Sequence, residues 1–439
     1  MPTDAYEAAA AAFRDGKWST AAEGFRSFIA EKADDPRVEQ ARFFLAEALL
    51  RDGKHAAAAE TFETVLQSAT DAVIVTAAQF RCGEAAYLAR DFDRAMKSLT
   101  TFLDAQPQHI AAPRAWHYLS EAAYSTGQFD QAEIAAAYFT ACYPDDPAAA
   151  RVATLQTASL LQLGRVREAR TVLTPLQADS NSADDPTLRV LAGSLQVAAA
   201  DEALVAGDLK LAAAAFEQFT VDHPQHELAP YAAYRLAEIA SAEGEWVSAA
   251  KQFAAVIERG DLDRELVPTA WLARVQALAQ DRDWAAVLTI AAEAQTQLTD
   301  WPRNYEFDYL RGRAHLARAE MKDAREAFSR VLASSNAKGT EVAALAQYMT
   351  AETHFLQRRY AAALVEYAQV GEHAHPHWQA AAQLQSGKCC EQLQRPADAR
   401  LAYETLLRDF ADSPFAAEAR SRRDACLRQA SAPAAAQRK

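Results

Sequence analysis

A ten-residue phrase, GKWSTAAEGF at Gly16–Phe25, returns as GKHAAAAETF at Gly53–Phe62, GQFDQAEIAA at Gly127–Ala136 and GEWVSAAKQF at Gly244–Phe253. Aligned on the small residue at its centre, it recurs at Ala21, Ala58, Ala95, Ala132, Ala169, Ala212, Ala249, Val287, Ala324, Ala363 and Ala399. Successive copies stand 36 to 39 residues apart, with one interval of 43. A catalytic motif is needed once or twice. Copying at a steady period of roughly 20–50 residues instead marks a stack of similar supersecondary units.

Each copy reads as two helices. A large apolar residue follows the small one by four positions at Phe25, Phe62, Leu99, Leu173, Phe216, Phe253, Phe328, Tyr367 and Tyr403, so the two share a helical face. Five positions before the small residue stands Gly16, Gly53, Gly127, Gly164, Gly207 or Gly244, where the first helix ends and the chain needs a left-handed residue. Three positions before it, Trp18, Phe92, Phe129, Trp246, Trp284, Met321 or Tyr360 plugs the turn. The first helices carry their own apolar stripes, as in RFFLAEALL at Arg42–Leu50, with a small contact residue at Ala46, Gly83, Ala237, Gly312 or Gly387. Between copies lie breakers such as DDP at 34–36 and PDDP at 144–147, where Pro stops one helix and Asp caps the next. A two-helix hairpin cannot bury both faces by itself, so it stacks on its own copy.

The repeats predict an all-α chain, an α-solenoid. About eleven helix pairs form one right-handed superhelix, closed by a single capping helix from Phe415 to about Arg428. The 43-residue interval falls on QADSNSADDP, Gln177–Pro186. That divides the chain into a five-pair array at 1–177, a longer loop at 178–186, a six-pair array with the capping helix at 187–428, and a disordered tail at 429–439.

This pattern resembles the tetratricopeptide repeat, over nearly the whole chain. The phrases LRDFADSPFAAEA at Leu407–Ala419 and YRLAEIASAEGEWVSAAKQF at Tyr234–Phe253 look like the longer repeats of bacterial envelope proteins. Those include the periplasmic coordinator of the Tol-Pal system and the outer-membrane assembly lipoproteins. The resemblance implies a non-enzymatic scaffold that binds a protein or peptide partner in the groove lined by the first helices. The alternative is a structural protein that assembles with its own copies. Chaperone-binding members of the family hold a terminal carboxylate with paired Asn and basic residues. Here the Asn residues are Asn181, Asn304 and Asn336, none at the corresponding positions, so that clamp is not expected.

In the implied groove, the position after the small contact residue holds an acid at Glu47, Glu84, Glu121, Asp201, Glu238 and Glu352, with Ala158, Gln276, Arg313 and Lys388 at the same column elsewhere. Aromatic or His residues stand four before it (Phe43, Phe80, His117, Tyr234, Tyr309, Tyr348), and Tyr87, Tyr124 or Phe355 three after it. These spacings share one helical stripe. Phe43, Glu47, Phe80, Glu84, Tyr87, His117, Glu121 and Tyr124 are therefore the candidate partner-binding residues. The acids there would disfavour acidic ligands. The competing reading is that each Glu pairs with Arg or Lys of a neighbouring repeat.

A net charge of −14 argues against a nucleic-acid partner. No run of 18 apolar residues offers a membrane span. The start, MPTDAYEAAAAAF, lacks a basic segment followed by an apolar one. With Met1 as the natural start the expected location is the cytoplasm; with a signal removed it is the periplasm or cell envelope. Cys82, Cys142, Cys389, Cys390 and Cys426 form no Cys-x-x-Cys and read as small core residues. His373, His375 and His377 in HAHPHW have no accompanying carboxylate or Cys at ligand spacing and read as a polar loop. No phosphate loop, nucleophile elbow or HExxH is present, and neither a cofactor nor a metal is expected.

Overall fold

The computed structural model describes residues 4–178 and 185–431. Within them the regular elements are α-helices and one short 3-10 turn. Contacts group the chain into two units, Met1–Leu228 and Ala229–Lys439. The first unit holds α1 (Ala5–Arg14), α2 (Trp18–Glu31), α3 (Val38–Arg51), α4 (His55–Ser68), α5 (Ala72–Leu88), α6 (Phe92–Ala105), α7 (Ala112–Ser125), α8 (Phe129–Cys142), α9 (Ala149–Gln162), α10 (Val166–Ala178), α11 (Pro186–Val205) and α12 (Leu209–Asp222). The second holds α13 (Ala229–Ala242), α14 (Trp246–Arg259), α15 (Val267–Gln280), α16 (Trp284–Gln297), α17 (Tyr305–Ala317), α18 (Met321–Ala333), α19 (Glu341–Leu356), α20 (Tyr360–Val370), α21 (Pro376–Gln392), α22 (Pro396–Asp409) and α23 (Ala416–Ser431). The chain is an all-α repeat solenoid in which each helix packs on the next within its unit.

Six pairs thus fall in the first unit, and five pairs with a last single helix in the second. The sequence expectation of five and six, parted at 178–186, differs because α11 packs on both α9 and α10. The stack therefore continues from α9 and α10 to α11. Residues 179–184 of that loop, and 432–439 of the expected tail, lie outside the described residues. The last helix runs through Ser431, three residues beyond the expected end.

The repeated small residue is the contact point. All eleven copies, Ala21 through Ala399, have 0% exposure. Its partner four residues later is buried too, and it fits against the small residue of the first helix. A Cβ on Gly83 would lie 2.6 Å from Leu99, one on Gly312 2.4 Å from Phe328, and one on Gly387 2.2 Å from Tyr403. Only a missing side chain lets these helices approach so closely.

The turns inside the pairs share one geometry. At Gly16, φ is 75°, the amide bonds the Phe13 carbonyl, and the next amide, of Lys17, bonds Ala12. At Arg90, φ is 63°, the amide bonds Tyr87, and the next, of Asp91, bonds Ala86. Arg90, Arg282, Ala319, Arg358 and Gln394 all take the left-handed conformation, in repeats that have no Gly there. The plug residues open the second helices and pack back on the first: Phe13 on Trp18 at 5.1 Å, Tyr124 on Phe129 at 5.4 Å, Phe355 on Tyr360 at 5.4 Å.

Cys82, Cys389, Cys390 and Cys426 are buried core residues, and burial pushes the Cys389 thiol up to about 12. Cys142 departs from that expectation. It stands exposed on the outer side of α8, because its position in the repeat faces solvent. No described helix is long and apolar enough to cross a membrane.

Candidate functional site

In the first unit α3, α5, α7 and α9 lie in sequence, each touching the next. The column acids Glu47, Glu84 and Glu121 sit one to a helix along this face. Each is met by guanidinium groups. Arg81 on α5 brings Nε to 2.7 Å from Glu47 Oε1 and pairs through Nη1 with Glu84. Arg51 approaches Glu47 at 3.7 Å, and Arg114 on α7 approaches Glu84 at 3.3 Å. Arg151 on α9 reaches Glu121 at 2.7 Å, beside the Tyr87 hydroxyl, which donates to the same carboxylate. His117 Nε2 stands 3.1 Å from Glu121 Oε1. The acids form an interrepeat ladder with arginines, the pairing weighed above as the alternative to ligand contact.

Their titration differs with setting. At Glu47, burial outweighs the attraction of Arg81 and Arg51 and raises the carboxyl above its ordinary value. At Glu121, burial also acts to raise it, but bonds from His117 and Tyr87 with the charges of His117 and Arg151 win and hold it at about 2. A depressed carboxyl contributes stability above its unfolded value, near 4.5, and loses it as pH falls toward about 2. The raised Glu47 works oppositely, favouring the fold when protonated. Glu121→Gln is therefore expected to flatten the acid limb: its melting temperature changes less than the parent's between about pH 4.5 and about pH 2. Equal acid limbs in the two proteins would contradict this.

The other candidates divide. Tyr87 and Tyr124 line a cleft of about 430 Å³ with Leu88, Arg90, Phe92, Glu121, Ser125, Arg151 and Leu155. Tyr87 stacks on Tyr118 at 4.4 Å, and burial, followed by the Glu121 carboxylate, raises its hydroxyl. Phe43 and Phe80 instead turn toward the second helices, with rings 5.7 Å from Phe62 and 5.5 Å from Phe102. At these two positions the side chain points between the two helices of its own pair, so both pack with the core. Leu88, Arg90, Arg151 and Leu155 were not among the candidates. A signal existed for Arg151, since Arg114 and Arg151 each stand seven before the column residue of adjacent repeats.

The second unit has its own cleft, about 510 Å³, among α13, α15 and α17. The same column lines it with Glu238, Gln276 and Arg313, and Trp246, Ser241, Gln280, Glu306 and Tyr309 add to it. Glu238 accepts from the Tyr234 hydroxyl at 2.7 Å and from Arg235 at 2.8 Å. The Arg313 guanidinium lies 5.9 Å from the centre of the Tyr309 ring, whose hydroxyl burial pushes up to about 12.

The His-rich loop does other work. His375 Nε2 lies 3.2 Å from the Gly339 carbonyl oxygen, and His377 packs edge-on to Trp378 at 4.9 Å. The ligand grouping among the described residues is elsewhere, at His315, Glu320 and Asp323, whose ligand atoms lie within 4.8 Å of one another. Glu320 is already held there by His315 Nδ1 at 2.7 Å and Arg318 Nε at 2.9 Å.

Comparison with known proteins follows from this geometry. The chain matches no curated protein. Its fold is similar to a Naa15/Naa10 structure bound to HypK-THB, with 13% identity and TM-score 0.42, over 97% of this chain and 66% of that one. It is also similar to the APC/C hetero-tetramer Cut9–Hcn1, with 12% identity and TM-score 0.36, over 95% of each chain. A tetratricopeptide repeat protein from Parabacteroides merdae aligns at 16% identity and TM-score 0.33, over 61% of this chain and 95% of that one. The tetratricopeptide repeat profile matches residues 6–73, 78–147, 197–264 and 309–377, more than half of the sequence. With those matches falling on stacked helix pairs, the chain belongs to the tetratricopeptide repeat family.

Proposed function

We propose that the chain is a non-enzymatic scaffold that holds a segment of another protein against the first helices of its first unit. The α5–α7–α9 cleft carries this reading. Leu88, Tyr124 and Leu155 offer apolar surface there, between polar groups already fixed by the acid–arginine ladder. Preorganised contact of that kind lowers the ordering cost of binding. Within this proposal, the likeness of Leu407–Ala419 and Tyr234–Phe253 to envelope repeats directs the search for the partner first to the cell envelope.

A second reading, assembly with its own copies, is favoured by the outer side of α8. There Ile134, Tyr138 and Cys142 are exposed at intervals of four residues. A photo-crosslinking side chain placed at Leu88 or at Ile134 separates the two. The scaffold reading expects a heterologous product through position 88, with capture weakened by ~1–4 kcal/mol in Tyr87→Ala with Tyr124→Ala, the range of aromatic hot spots. A product through position 134 alone, joining two copies of this chain, replaces it with assembly.

A further inference from the structure

Resting on the scaffold reading, the charge arrangement decides which segment fits. The ladder is layered. The Glu47, Glu84 and Glu121 side chains are 6%, 7% and 12% exposed, whereas Arg114 and Arg151 are 57% and 70% exposed. The carboxylates form the floor, and the guanidiniums stand above them. Arg90, at the cleft mouth, adds a further cation, its guanidinium 5.8 Å from the Phe92 ring. Arg90 and Arg151 line the cleft, and Arg114 holds on Glu84, one repeat earlier, the place that Arg151 holds on Glu121, so exposed guanidiniums overlie the buried acids. Each guanidinium carries five N–H donors in a planar fork, more than its single carboxylate contact uses. The acid column read from the sequence therefore presents a cationic surface.

We propose that the α5–α7–α9 cleft takes an extended protein segment rich in Asp or Glu. Its carboxylates meet Arg90, Arg114 and Arg151, and its apolar side chains seat on Leu88, Tyr124 and Leu155. Adjacent helices pack at ~8–10 Å, close to the ~9 Å advance of one three-residue turn of an extended polyproline II segment, which returns every third side chain to the same face. An acid at roughly every third position thus matches Arg114 and Arg151, which stand one repeat apart, with Arg90 at the cleft mouth free to meet a further one. A long polyanion such as nucleic acid fits less well. Such a polymer runs on past the arginines over a chain of net charge −14, while isolated carboxylates gain from short-range, charge-assisted bonds.

The test uses the full chain and three labelled peptides of roughly 12 residues, with Glu, Gln or Lys at every third position between Leu and Ser, followed by fluorescence anisotropy. The Glu peptide is expected to bind at least about ten-fold more tightly than the Gln peptide at ~50 mM salt, and the difference to vanish near ~500 mM. Arg90→Gln with Arg114→Gln should cut the preference sharply, leaving what Arg151 alone supports. Arg90→Gln alone should reduce it with at most a small fall in melting temperature, since only the exposed contact with the Phe92 ring is lost. Equal binding of the Glu and Gln peptides, with both lost in Leu88→Asp, overturns the acidic preference and leaves the scaffold reading standing. Binding of none of the three overturns both. Preference for the Lys peptide, or tighter binding of a single-stranded DNA of the same length, overturns the proposal outright.

Discussion

Gly312→Ala destabilises the parent protein and stabilises the Phe328→Ala variant. The reversal follows from the contact of α17 with α18. A Cβ at position 312 would lie 2.4 Å from Phe328 Cε1 and 2.6 Å from Cδ1, and the Phe328 ring is fully buried with no room to retreat. In the parent, overpacking costs ~1–3 kcal/mol. That exceeds the gain of about 1 kcal/mol from replacing Gly by Ala inside a helix. Phe328→Ala alone costs ~3–5 kcal/mol through the cavity it leaves. In that background the clash is gone, the new methyl fills part of the cavity, and the helix gain remains. Urea denaturation of the four proteins in this cycle gives the coupling, expected at ~1–3 kcal/mol for residues in direct contact. The loss appears chiefly in the second unit, because a repeat stack couples mostly to its neighbours. The same sign for Gly312→Ala in both backgrounds would remove the small-to-large contact as the basis of the repeat.

That contact was legible in the sequence because it repeats: Gly312 with Phe328, Gly387 with Tyr403 and Gly83 with Leu99 are the same pair of positions three times. The turn glycines were legible for the same reason. The candidate cleft was legible only in part. Tyr87, Glu121 and Tyr124 share it as their spacing implied, but helical spacing fixes a stripe and not its depth. Phe43 and Phe80 share the stripe and still turn into the core, because a second-helix Phe waits beside each. The sign of the surface was hidden for a related reason. Glu47, Glu84 and Glu121 form a conspicuous column, whereas of their arginines only Arg114 and Arg151 keep the repeat spacing and Arg81 does not. Which charge lies uppermost depends on side-chain length and packing. A short carboxylate stays at the helix surface, and a long guanidinium stem reaches past it. The division at 228 was not legible either. The longest interval is one of sequence length between α10 and α11, while unit boundaries follow which helices pack together.

The quadruple variant Arg282→Gly, Ala319→Gly, Arg358→Gly, Gln394→Gly is expected to be more stable than the parent by ~2–4 kcal/mol. All four positions lie in the second unit, and all hold φ between 59° and 62°. For a residue with a Cβ this conformation costs about 1–2 kcal/mol. Gly removes that cost but adds back ~0.5–1 kcal/mol of unfolded-chain entropy, leaving ~0.5–1 kcal/mol per site. The turn itself does not change. The bonds from Arg282 to the Ala279 carbonyl and from Arg358 to Phe355 are backbone bonds, as at Gly244 with Ser241. The sites are a repeat apart and share no partner, so their effects should add. The first unit supplies the control, because Gly53→Ala and Gly127→Ala impose the same strain where φ is 76° and 74° and should each cost ~0.5–1 kcal/mol, the same two terms with the sign reversed. Arg90 is left in place, because it belongs to the cleft and its loss would confuse stability with binding. Thermal and urea melts of the quadruple variant and the two Gly→Ala variants provide the measurement. A quadruple variant melting at or below the parent would mean that the side chains at 282, 319, 358 and 394 contribute more than their backbone strain costs. The left-handed turn would then be a consequence of side-chain packing, with no stabilising role for Gly.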